Sequence, residues 1–532
     1  MLDVYGDTHL QSSSAQISIR KRLQNGILHL EAIFDRPFGP EWNPLRQMGT
    51  LTFFYYWIVA ASGIYVYILF DTSVGGAYQS VEVMTHQQWY LGGIIRSLHR
   101  YASDAMIVTM VLHLSREFIM DRYRDVRWFT WFTGVPIIWL LFVSGISGYW
   151  LVWDMLAQYV AIGSMEWLDW LGIFGEPVAN NFLTPDSLTD RFFTLLVFMH
   201  IFGPLFLLFV MWIHVMRVAL PKINPPRGLA IGSLIMFVAL AMIKPAVSHP
   251  PADLGIVPSE LNLDWFYMML YPVFNNLGAG TLWGLAVGIS IIMAAMPWMP
   301  PLKRPKPAVV HLDKCNGCTR CFVDCPFGAI TMLPRTDGAP FDREAVVEPD
   351  LCTSCGICVG SCPVSTPFRR TEELVTGIDL PDLSLKRLRE KTKKAVEKIA
   401  ASSQGRPGVM VFGCDYAADA DSVTKDGVAA LSMPCIGMLP PSFMDYTLSQ
   451  EGVDGVFITG CQSCDCFSRL GNRWTEERIA GVRDPYLRKR VNRDRIKVFW
   501  ASRIQGENLS SEIESFRASL ENLDTDAKGD AA

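Results

Sequence analysis

The chain has 532 residues, enough for about two to four domains, and half of its residues are hydrophobic, with a mean hydropathy of +0.22. Its formal net charge of −5 at pH 7 excludes a strongly basic surface and argues against a nucleic-acid partner. All 13 cysteines lie between Cys315 and Cys466, so a cysteine-free apolar half precedes a cysteine-rich polar half.

Six apolar segments in the first half are long enough to cross a bilayer as helices, which requires about 20 residues each. They are residues 51–70, 94–115, 131–153, 192–216, 229–248 and 279–299. A soluble helical core is the alternative, but the first segment has no charged residue. Lys and Arg are concentrated before the first segment and after the second, fourth and sixth, and residues 71–93, 154–190 and 249–278 in the other three connections have none. The positive-inside rule therefore predicts a multi-pass protein of the cell inner membrane, with both termini and everything after Pro301 in the cytoplasm.

Four histidines lie inside these segments, in two pairs with the same spacing. His99 and His113 are 14 residues apart on the second segment, and His200 and His214 are 14 apart on the fourth. Fourteen residues span nearly four helical turns, about 21 Å, and the two helices run in the same direction. A lone intramembrane histidine is often a satisfied core residue or a proton relay. The repeated spacing instead predicts two stacked bis-histidine sites, His99 with His200 and His113 with His214, suited to two b-type haems.

Glycines on the neighbouring segments repeat the same interval. Gly49 and Gly63 are 14 residues apart on the first segment, and Gly134 and Gly148 are 14 apart on the third. A haem that lies flat against a helix needs positions without a side chain, so these glycines are candidate haem-binding residues. The alternative is ordinary packing, because membrane helices use glycine freely.

Two arginines, Arg96 and Arg100, flank His99. A guanidinium in this position requires an anionic partner, and haem propionates are the natural candidates. Asp104 lies one helical turn after Arg100 and is the alternative partner for it.

These motifs resemble cytochrome b of the cytochrome bc-type complexes. The resemblance is carried by the paired glycines and by the stretches LGGIIRSLHRYASDAMIVTMVLH and SLTDRFFTLLVFMHIFGP. It implies that His99 and His200 bind an outer, low-potential haem and that His113 and His214 bind an inner, high-potential haem. It also implies quinone or quinol as substrate and a homodimeric assembly.

The stretch PPADLGIVPSELNLDWFYMMLYPVF resembles the loop and short helix that line the outer quinol site of that family. The family's Pro-Glu-Trp-Tyr motif reads LDWF here, so Asp264 replaces the family glutamate, and Glu260 lies close by. The resemblance therefore implies catalytic roles for Asp264, Glu260, Trp265 and Tyr267, because a carboxylate beside an apolar pocket can accept a quinol proton. An acid at a solvated loop end is the alternative for Asp264.

Two copies of the run C-x₂-C-x₂-C-x₃-C-P begin at Cys315 and Cys352. This run is specific to bacterial ferredoxins with two 4Fe–4S clusters, in which the fourth cysteine of each run binds the other cluster. The predicted ligand sets are Cys315, Cys318, Cys321 and Cys362 for cluster one, and Cys352, Cys355, Cys358 and Cys325 for cluster two. Zinc is the competing metal, but the proline after each run and the duplication favour iron–sulfur clusters. The spacing is not typical of disulfides and indicates a reducing compartment.

Five cysteines remain, namely Cys414, Cys435, Cys461, Cys464 and Cys466. The segments GVMVFGCDY and GVDGVFITGC read as buried strands that end at a cysteine, which indicates a further metal site. The stretches SMPCIGMLPPSF and GVDGVFITGCQSCDCFSRLGN resemble the delta subunit of methyl-viologen-reducing hydrogenases. That resemblance implies a 2Fe–2S cluster on Cys414, Cys435, Cys461 and Cys466. Two positions depart from the family: Cys464 stands where the family usually has glycine, and a family cysteine is missing near Val411. One alternative is therefore that Cys464 replaces one of the four ligands. The other is that the fold retains buried cysteines without a metal.

The predicted fold is multi-domain: an α-helical transmembrane cytochrome b bundle with six spans, an α+β ferredoxin domain and an α/β iron–sulfur domain. The predicted boundaries are 1–302 for the membrane domain, 303–370 for the ferredoxin domain, 371–406 for a linker helix, 407–505 for the hydrogenase delta-like domain and 506–532 for a polar, loose tail.

The resemblances imply a quinone oxidoreductase subunit of respiratory electron transfer. It would exchange electrons between the quinone pool and a cytoplasmic heterodisulfide-reductase-like flavoprotein or hydrogenase. One alternative is a cytochrome bc-type quinol oxidase that works with a Rieske protein and cytochrome c, with the iron–sulfur domains as a branch. The other is a non-catalytic membrane anchor or redox sensor.

Overall fold

The structure is a computed structural model that describes residues 14–184, 187–258, 260–300, 305–369 and 374–529. The predicted boundaries at 302/303 and 370/371 lie outside the described residues. The chain divides into two compact units. The membrane unit comprises Gln47–Arg217 and Pro221–Pro300, and the iron–sulfur unit comprises Met1–Arg46, Val218–Leu220 and Pro301–Ala532.

The first helix, α1 (Ser14–Trp42), belongs to the iron–sulfur unit, and the membrane unit is entirely helical apart from its connections. Its helices are α2 (Met48–Leu69), α3 (Ala77–Glu82), α4 (Ile94–Ile119), α5 (Trp128–Val152), α6 (Met155–Asp169), α7 (Val178–Phe182), α8 (Asp190–Met216), α9 (Arg227–Ile243), α10 (Leu270–Leu277) and α11 (Ala279–Ala295). Helix α2 packs along α4, and α5 packs along α8. These two helix pairs carry the four predicted glycines and the four predicted histidines.

Four helical segments in the described part of the chain are long and apolar enough to cross a membrane. They are Met48–Leu69, Asp125–Val152, Asp190–Met216 and Ala279–Trp298. The second and fifth predicted spans form helices too, but α4 carries Arg96, Arg100 and Asp104, and α9 has only 17 residues because Lys244 and Pro245 follow it. For these two helices, crossing the membrane stays a prediction.

The ferredoxin part has two short helices and two antiparallel strand pairs. The strand pairs are β1 (Val309–Val310) with β4 (Ile378–Asp379), and β2 (Ile330–Pro334) with β3 (Arg343–Val347). The helices are α12 (Arg320–Asp324) and α13 (Ile357–Ser361). Because β4 pairs with β1, residues up to Asp379 contribute to this part of the structure, and the domain bounds stay a prediction.

The C-terminal part contains the strands β5 (Val409–Cys414), β6 (Val428–Met433), β7 (Gly455–Gly460) and β8 (Ile496–Trp500). They form a parallel sheet in the order β6-β5-β7-β8. The helices are α14 (Leu385–Ser402), α15 (Pro441–Leu448), α16 (Gly471–Ala480) and α17 (Gly506–Gly529). Strands β5 and β7 are buried along their whole length, as expected for central parallel strands.

Two predictions about this part need correction. The segment predicted as a loose polar tail forms α17, whose Leu509, Ile513, Phe516 and Leu520 are buried in a cluster that also contains Phe457 of β7. Its apolar residues recur at helical spacing among charged ones, so the average polarity concealed a packed face. The predicted linker helix is α14, which also packs on the sheet, so it is part of the domain rather than a connection.

Candidate functional site

The membrane unit brings the predicted histidines together across α4 and α8. The ring centroids of His99 and His200 are 6.4 Å apart, with the ring planes at 67°. A metal held by an imidazole nitrogen on each side at about 2 Å separates those nitrogens by about 4 Å, which places the ring centroids about 6 Å apart. The observed spacing therefore leaves room for one iron between the rings. His113 and His214 lie close enough to interact electrostatically.

Hydrogen bonds hold three of the four rings through the same nitrogen. His99 Nδ1 lies 3.0 Å from the Val59 carbonyl oxygen and 3.1 Å from Ser62 Oγ. His200 Nδ1 lies 3.0 Å from Ser147 Oγ, and His214 Nδ1 lies 3.1 Å from Thr133 Oγ1. A ring that donates its Nδ1–H to a carbonyl has its lone pair on Nε2, the nitrogen that binds a metal.

The four glycines face the four histidines, one to one. A Cβ added to Gly49 would be 3.2 Å from His113 Cε1, and one added to Gly63 would be 3.0 Å from His99 Cε1. The corresponding distances are 3.6 Å from Gly134 to His214 and 2.9 Å from Gly148 to His200. The prediction was that these glycines make room for a haem plane against the helix. In the structure the missing side chain makes room for the imidazole ring itself.

These observations fit a b-type haem between each pair. Three of the four imidazoles are held at Nδ1, which leaves Nε2 available to a metal, and glycines leave space where all four rings approach the neighbouring helices.

The two predicted propionate-binding arginines already have protein partners. Arg96 donates to Thr85 Oγ1 and to Ser248 Oγ, the latter at 2.8 Å, and lies 3.7 Å from Glu82. Arg100 lies 3.4 Å from Asp104 and 3.1 Å from Asp264, with its guanidinium 4.5 Å from the centre of the Tyr149 ring. The ion pair with Asp104 was the alternative for Arg100, and the pair with Asp264 was not foreseen.

The predicted quinol-site residues have different environments. Asp264 Oδ1 accepts the backbone N–H groups of Phe266 and Tyr267, both at 2.8 Å, and Oδ2 pairs with Arg100. Tyr267 is 1 % exposed and donates its hydroxyl to the Ser103 carbonyl at 3.0 Å. Glu260 is exposed, and Trp265 is 84 % exposed. Asp264 and Tyr267 therefore anchor the loop to α4, whereas Glu260 and Trp265 are accessible.

The iron–sulfur unit collects the eight cysteines of the two runs into the two predicted sets. One cavity is lined by Cys315, Cys318, Cys321 and Cys362. A second cavity is lined by Cys325, Cys352, Cys355 and Cys358. Among the described residues, no three His, Cys, Asp or Glu side chains converge on a single-ion site. Each cavity thus combines three cysteines of one run with the fourth cysteine of the other, which is the ligand arrangement of a ferredoxin with two 4Fe–4S clusters.

Burial raises the pKa of Cys321 and of Cys355 to about 12. Such thiols are neutral at physiological pH unless a bound metal replaces the proton. The cavities are thus suited to hold thiolates only together with a cationic metal centre.

Four of the remaining five cysteines form a third thiol group. Cys414 and Cys461, which end or follow strands β5 and β7, have their sulfur atoms 3.8 Å apart. Hydrogen bonds from the Cys435 and Cys461 thiols lower the pKa of Cys466 well below its usual value. Two thiolates on one tetrahedral metal at about 2.3 Å each are nearly 4 Å apart, so the Cys414–Cys461 spacing fits one iron of a cluster. Cys464 is exposed in a left-handed conformation, with φ 66°.

The three thiol groups are neighbours within the unit. Cys435 packs in one buried cluster with Ile357, and the cluster-two residue Cys355 and the third-group residue Cys466 pack against it. Cys358 of cluster two lies close enough to Cys321 of cluster one to interact with it electrostatically. The third group therefore adjoins cluster two, and cluster two adjoins cluster one.

Sequence reasoning missed the hydroxyl groups that hold the histidines. Ser62, Thr133 and Ser147 each stand immediately before one of the four glycines, so a Ser/Thr-Gly dipeptide was the available signal. Met48 stands at this place before Gly49. The reasoning also missed the buried pair of Asp324 with Arg478, for which the local sequence offers no signal because 154 residues separate the partners.

Three family models match successive parts of the chain. They are "Cytochrome b/b6/petB" over residues 33–220, "4Fe-4S dicluster domain" over 314–366 and "Methyl-viologen-reducing hydrogenase, delta subunit" over 411–524. These matches confirm the three predicted resemblances. The chain thus combines a cytochrome b/b6 region, an iron–sulfur ferredoxin-type domain and a hydrogenase delta-subunit-like domain.

Known relatives cover the cytochrome b part. Cytochrome b6 of Prochlorothrix hollandica is 26% identical over 210 residues, which are 38% of this chain and 93% of that protein. The menaquinol:cytochrome c reductase cytochrome b subunit of Geobacillus thermodenitrificans is 29% identical over 184 residues, 34% of this chain and 80% of that protein. Among solved structures, a chain of a hyperthermophilic respiratory Complex III aligns at 17% identity and a TM-score of 0.41, covering 52% of this chain and 82% of that chain.

Proposed function

We propose that this chain, with a cytochrome b/b6 region and two iron–sulfur domains on one polypeptide, is the membrane subunit of a quinone oxidoreductase. It exchanges electrons between the quinone pool and a cytoplasmic redox partner. The observation that carries the proposal is the chain of three neighbouring thiol groups in the same polypeptide as paired imidazoles. When bound, haems and iron–sulfur clusters supply one-electron carriers.

The residues of the chain have distinct roles in this proposal. The His99–His200 and His113–His214 pairs hold two b-type haems, and the two sets of four cysteines hold two 4Fe–4S clusters. Cys414, Cys435, Cys461 and Cys466 hold a 2Fe–2S cluster, with exposed Cys464 outside the ligand set. Apolar packing around the buried thiols excludes water and keeps the metal centres in a region of low dielectric constant.

The third thiol group is the proposed point of exchange with the soluble partner. It adjoins cluster two through the packing around Cys435. The matching delta-subunit family takes its name from a hydrogenase, which supports a hydrogenase as partner, and a heterodisulfide-reductase-like flavoprotein is the second proposed partner. We propose the inner haem, on His113 and His214, as the point at which electrons enter the membrane region, in an inner-membrane homodimer with cytoplasmic iron–sulfur domains.

The outer loop supports this function over cytochrome bc-type quinol oxidation with a Rieske protein. Asp264 accepts two backbone N–H groups and pairs with Arg100. Both carboxylate oxygens of Asp264 are therefore occupied by protein groups, which leaves this side chain poorly placed to receive a quinol proton. Glu260 and Trp265 are the accessible members of the predicted site, so quinone chemistry at the outer face depends on Glu260.

The test uses the purified full-length complex and two separate electron donors. A menaquinol analogue is offered from the membrane side and a low-potential donor, reduced methyl viologen, from the soluble side. Cys461→Ser should slow haem reduction by methyl viologen at least tenfold and leave reduction by the quinol unchanged, because only the first route needs the thiol group. Cys464→Ser is the matched control and should behave as wild type.

Haem reduction by methyl viologen at the wild-type rate in Cys461→Ser would contradict the proposed route. Copurification of a Rieske protein, together with inhibition of quinol oxidation by outer-site inhibitors, would favour the cytochrome bc-type function instead. Haems that neither donor reduces would favour the anchor or redox sensor.

A further inference from the structure

Helix α16 carries an arginine that is buried almost completely. Arg478 is 1 % exposed, and its guanidinium donates to three acceptors. Nη1 donates to the Gly437 carbonyl at 2.9 Å, and Nη2 donates at 2.6 Å both to Asp324 Oδ2 and to Ser361 Oγ. These acceptors come from three segments that are far apart in the sequence, and the guanidinium joins them at one point.

Each of the three segments carries a cysteine from a different thiol group. Gly437 is two residues after Cys435 of the third group. Ser361 immediately precedes Cys362, which lines the cluster-one cavity, and Asp324 immediately precedes Cys325, which lines the cluster-two cavity. Arg478 thus contacts one residue near each of the three iron–sulfur sites. Each contacted residue lies one or two positions from a candidate cysteine ligand.

The surrounding contacts fix both partners of the ion pair. Asp324 is 2 % exposed and also accepts from Ser361 Oγ and from Arg483 Nη1, both at 2.6 Å. Arg483 stacks on the Trp474 ring at 3.3 Å, and Trp474 Nε1 donates to the Asp324 carbonyl at 3.1 Å. A shift of any one ligand segment would therefore break hydrogen bonds made to the other two.

Stability alone gives a weak reason for this arrangement. A buried ion pair is often no better for stability than apolar residues of the same volume, because both charges lose their hydration. The Nε–H group of Arg478 is buried and has no hydrogen-bond partner among the described residues. Arg478 therefore places a fixed positive charge and an unused N–H donor between three sets of thiols. Such a group can stabilise a metal cluster, whose net charge is negative once its thiolate ligands are counted.

We propose that Arg478 is a shared positioning residue of the three iron–sulfur sites, which fixes their relative geometry and whose charge raises their reduction potentials. The inference rests on the proposed function only in that the thiol groups hold clusters. Reduction adds a negative charge to a cluster, and a nearby fixed cation stabilises the reduced form. At a separation of about 10 Å and an effective dielectric constant near 20, one charge changes the ratio of reduced to oxidised cluster on the order of tenfold, or about 59 mV for one electron.

The test compares charge changes of opposite sign at the same place. Arg478→Gln removes the cation, Asp324→Asn removes its counter-charge, and Arg478→Lys keeps the cation but loses the planar fork. Arg473→Gln is the control, because Arg473 lies on the same helix with 67 % of its side chain exposed. Iron and acid-labile sulfide are quantified in the full-length protein, and each cluster is titrated by EPR-monitored potentiometry.

We expect Arg478→Gln to lower the reduction potentials, which corresponds to a reduced-to-oxidised ratio about tenfold smaller at a given applied potential. Asp324→Asn should raise the reduction potentials, and Arg473→Gln should leave them unchanged. Arg478→Lys should keep the potentials near wild type and lose iron from at least one site. If Arg478→Gln fails to fold, the rise in Asp324→Asn and the behaviour of Arg478→Lys decide the question.

Shifts of the same sign in Arg478→Gln and Asp324→Asn, or unchanged potentials in both at full iron content, would refute the role of Arg478. A wild-type protein without iron or sulfide would refute the cluster assignment itself, so the two failures are distinguishable.

Discussion

Two glycines on α5 allow a sharp test of how the imidazoles are accommodated. Gly148 and Gly134 lie on the same helix and face His200 and His214, which both lie on α8. Replacement by alanine has the same intrinsic effect on helix propensity at both positions, up to about 1 kcal/mol in favour of the helix. The two variants therefore differ mainly in the contact that the new methyl group makes with a histidine.

The distances predict opposite outcomes. Carbon atoms in good contact are about 3.5–4.0 Å apart. The new Cβ would lie 3.6 Å from His214 Cε1 in Gly134→Ala, which needs no movement, and 2.9 Å from His200 Cε1 in Gly148→Ala. The second contact requires a shift of about 0.6 Å (3.5 − 2.9), and metal-ligand distances tolerate only about 0.2 Å. We expect Gly148→Ala to lose the outer haem or at least half of its occupancy, and Gly134→Ala to keep both haems.

The assay is haem per protein in the purified complex, together with reduced-minus-oxidised spectra and a potentiometric titration that separates the two haems. Gly134→Ala is the control for insertion and expression. Equal loss of haem in both variants, or full occupancy with unchanged potentials in Gly148→Ala, would show that the glycines do not act through the imidazole contacts.

Four further predictions follow from single contacts. Ser147→Ala should keep the outer haem bound but shift its potential, because His200 Nδ1 loses a hydroxyl at 3.0 Å, and an unshifted titration would contradict this. Cys461→Ser should lose the iron of the third site, whereas Cys464→Ser should keep it, and equal iron contents would argue against this ligand set. Burial raises the pKa of Asp379 from 3.8 to about 6, so the folded form binds more protons between these values and stability falls as pH rises from about 4 to 6. Asp379→Asn should flatten that part of the pH profile in thermal unfolding of the iron–sulfur unit, and an unchanged slope would assign it to other groups. Phe516→Ala should destabilise the α17–sheet contact by about 3–5 kcal/mol, and wild-type resistance to limited proteolysis would refute its packing role.

The metal-site geometry was largely predictable because it depends on short-range regularities. A spacing of 14 residues on a helix places His99 and His113 on one face, whatever the rest of the fold does. The cysteine runs likewise fix three ligands of each cavity within one short helix and its preceding loop. The predicted exchange of the fourth ligand needed only the known duplication of the motif, and Cys362 and Cys325 line the cavities accordingly.

The average composition of a segment gave a wrong prediction where the spacing of its apolar residues decided how it packs. The residues after 505 are polar in composition, yet Leu509, Ile513, Phe516 and Leu520 form one apolar face that packs on the sheet. The ferredoxin and α/β parts were predicted as separate domains joined by a linker. Their buried residues form one continuous core, which contains both Val359 of the first and Met438 of the second.

The sequence by itself determined which atoms can bind iron, because imidazole and thiol spacing follows from local helix geometry and motif order. The tertiary structure alone decided which charges meet, since Arg100 pairs with Asp264 across 164 residues and Arg478 pairs with Asp324 across 154. The physical reason is that periodicity acts along the chain, whereas a buried charge takes whichever partner folding brings within hydrogen-bond distance.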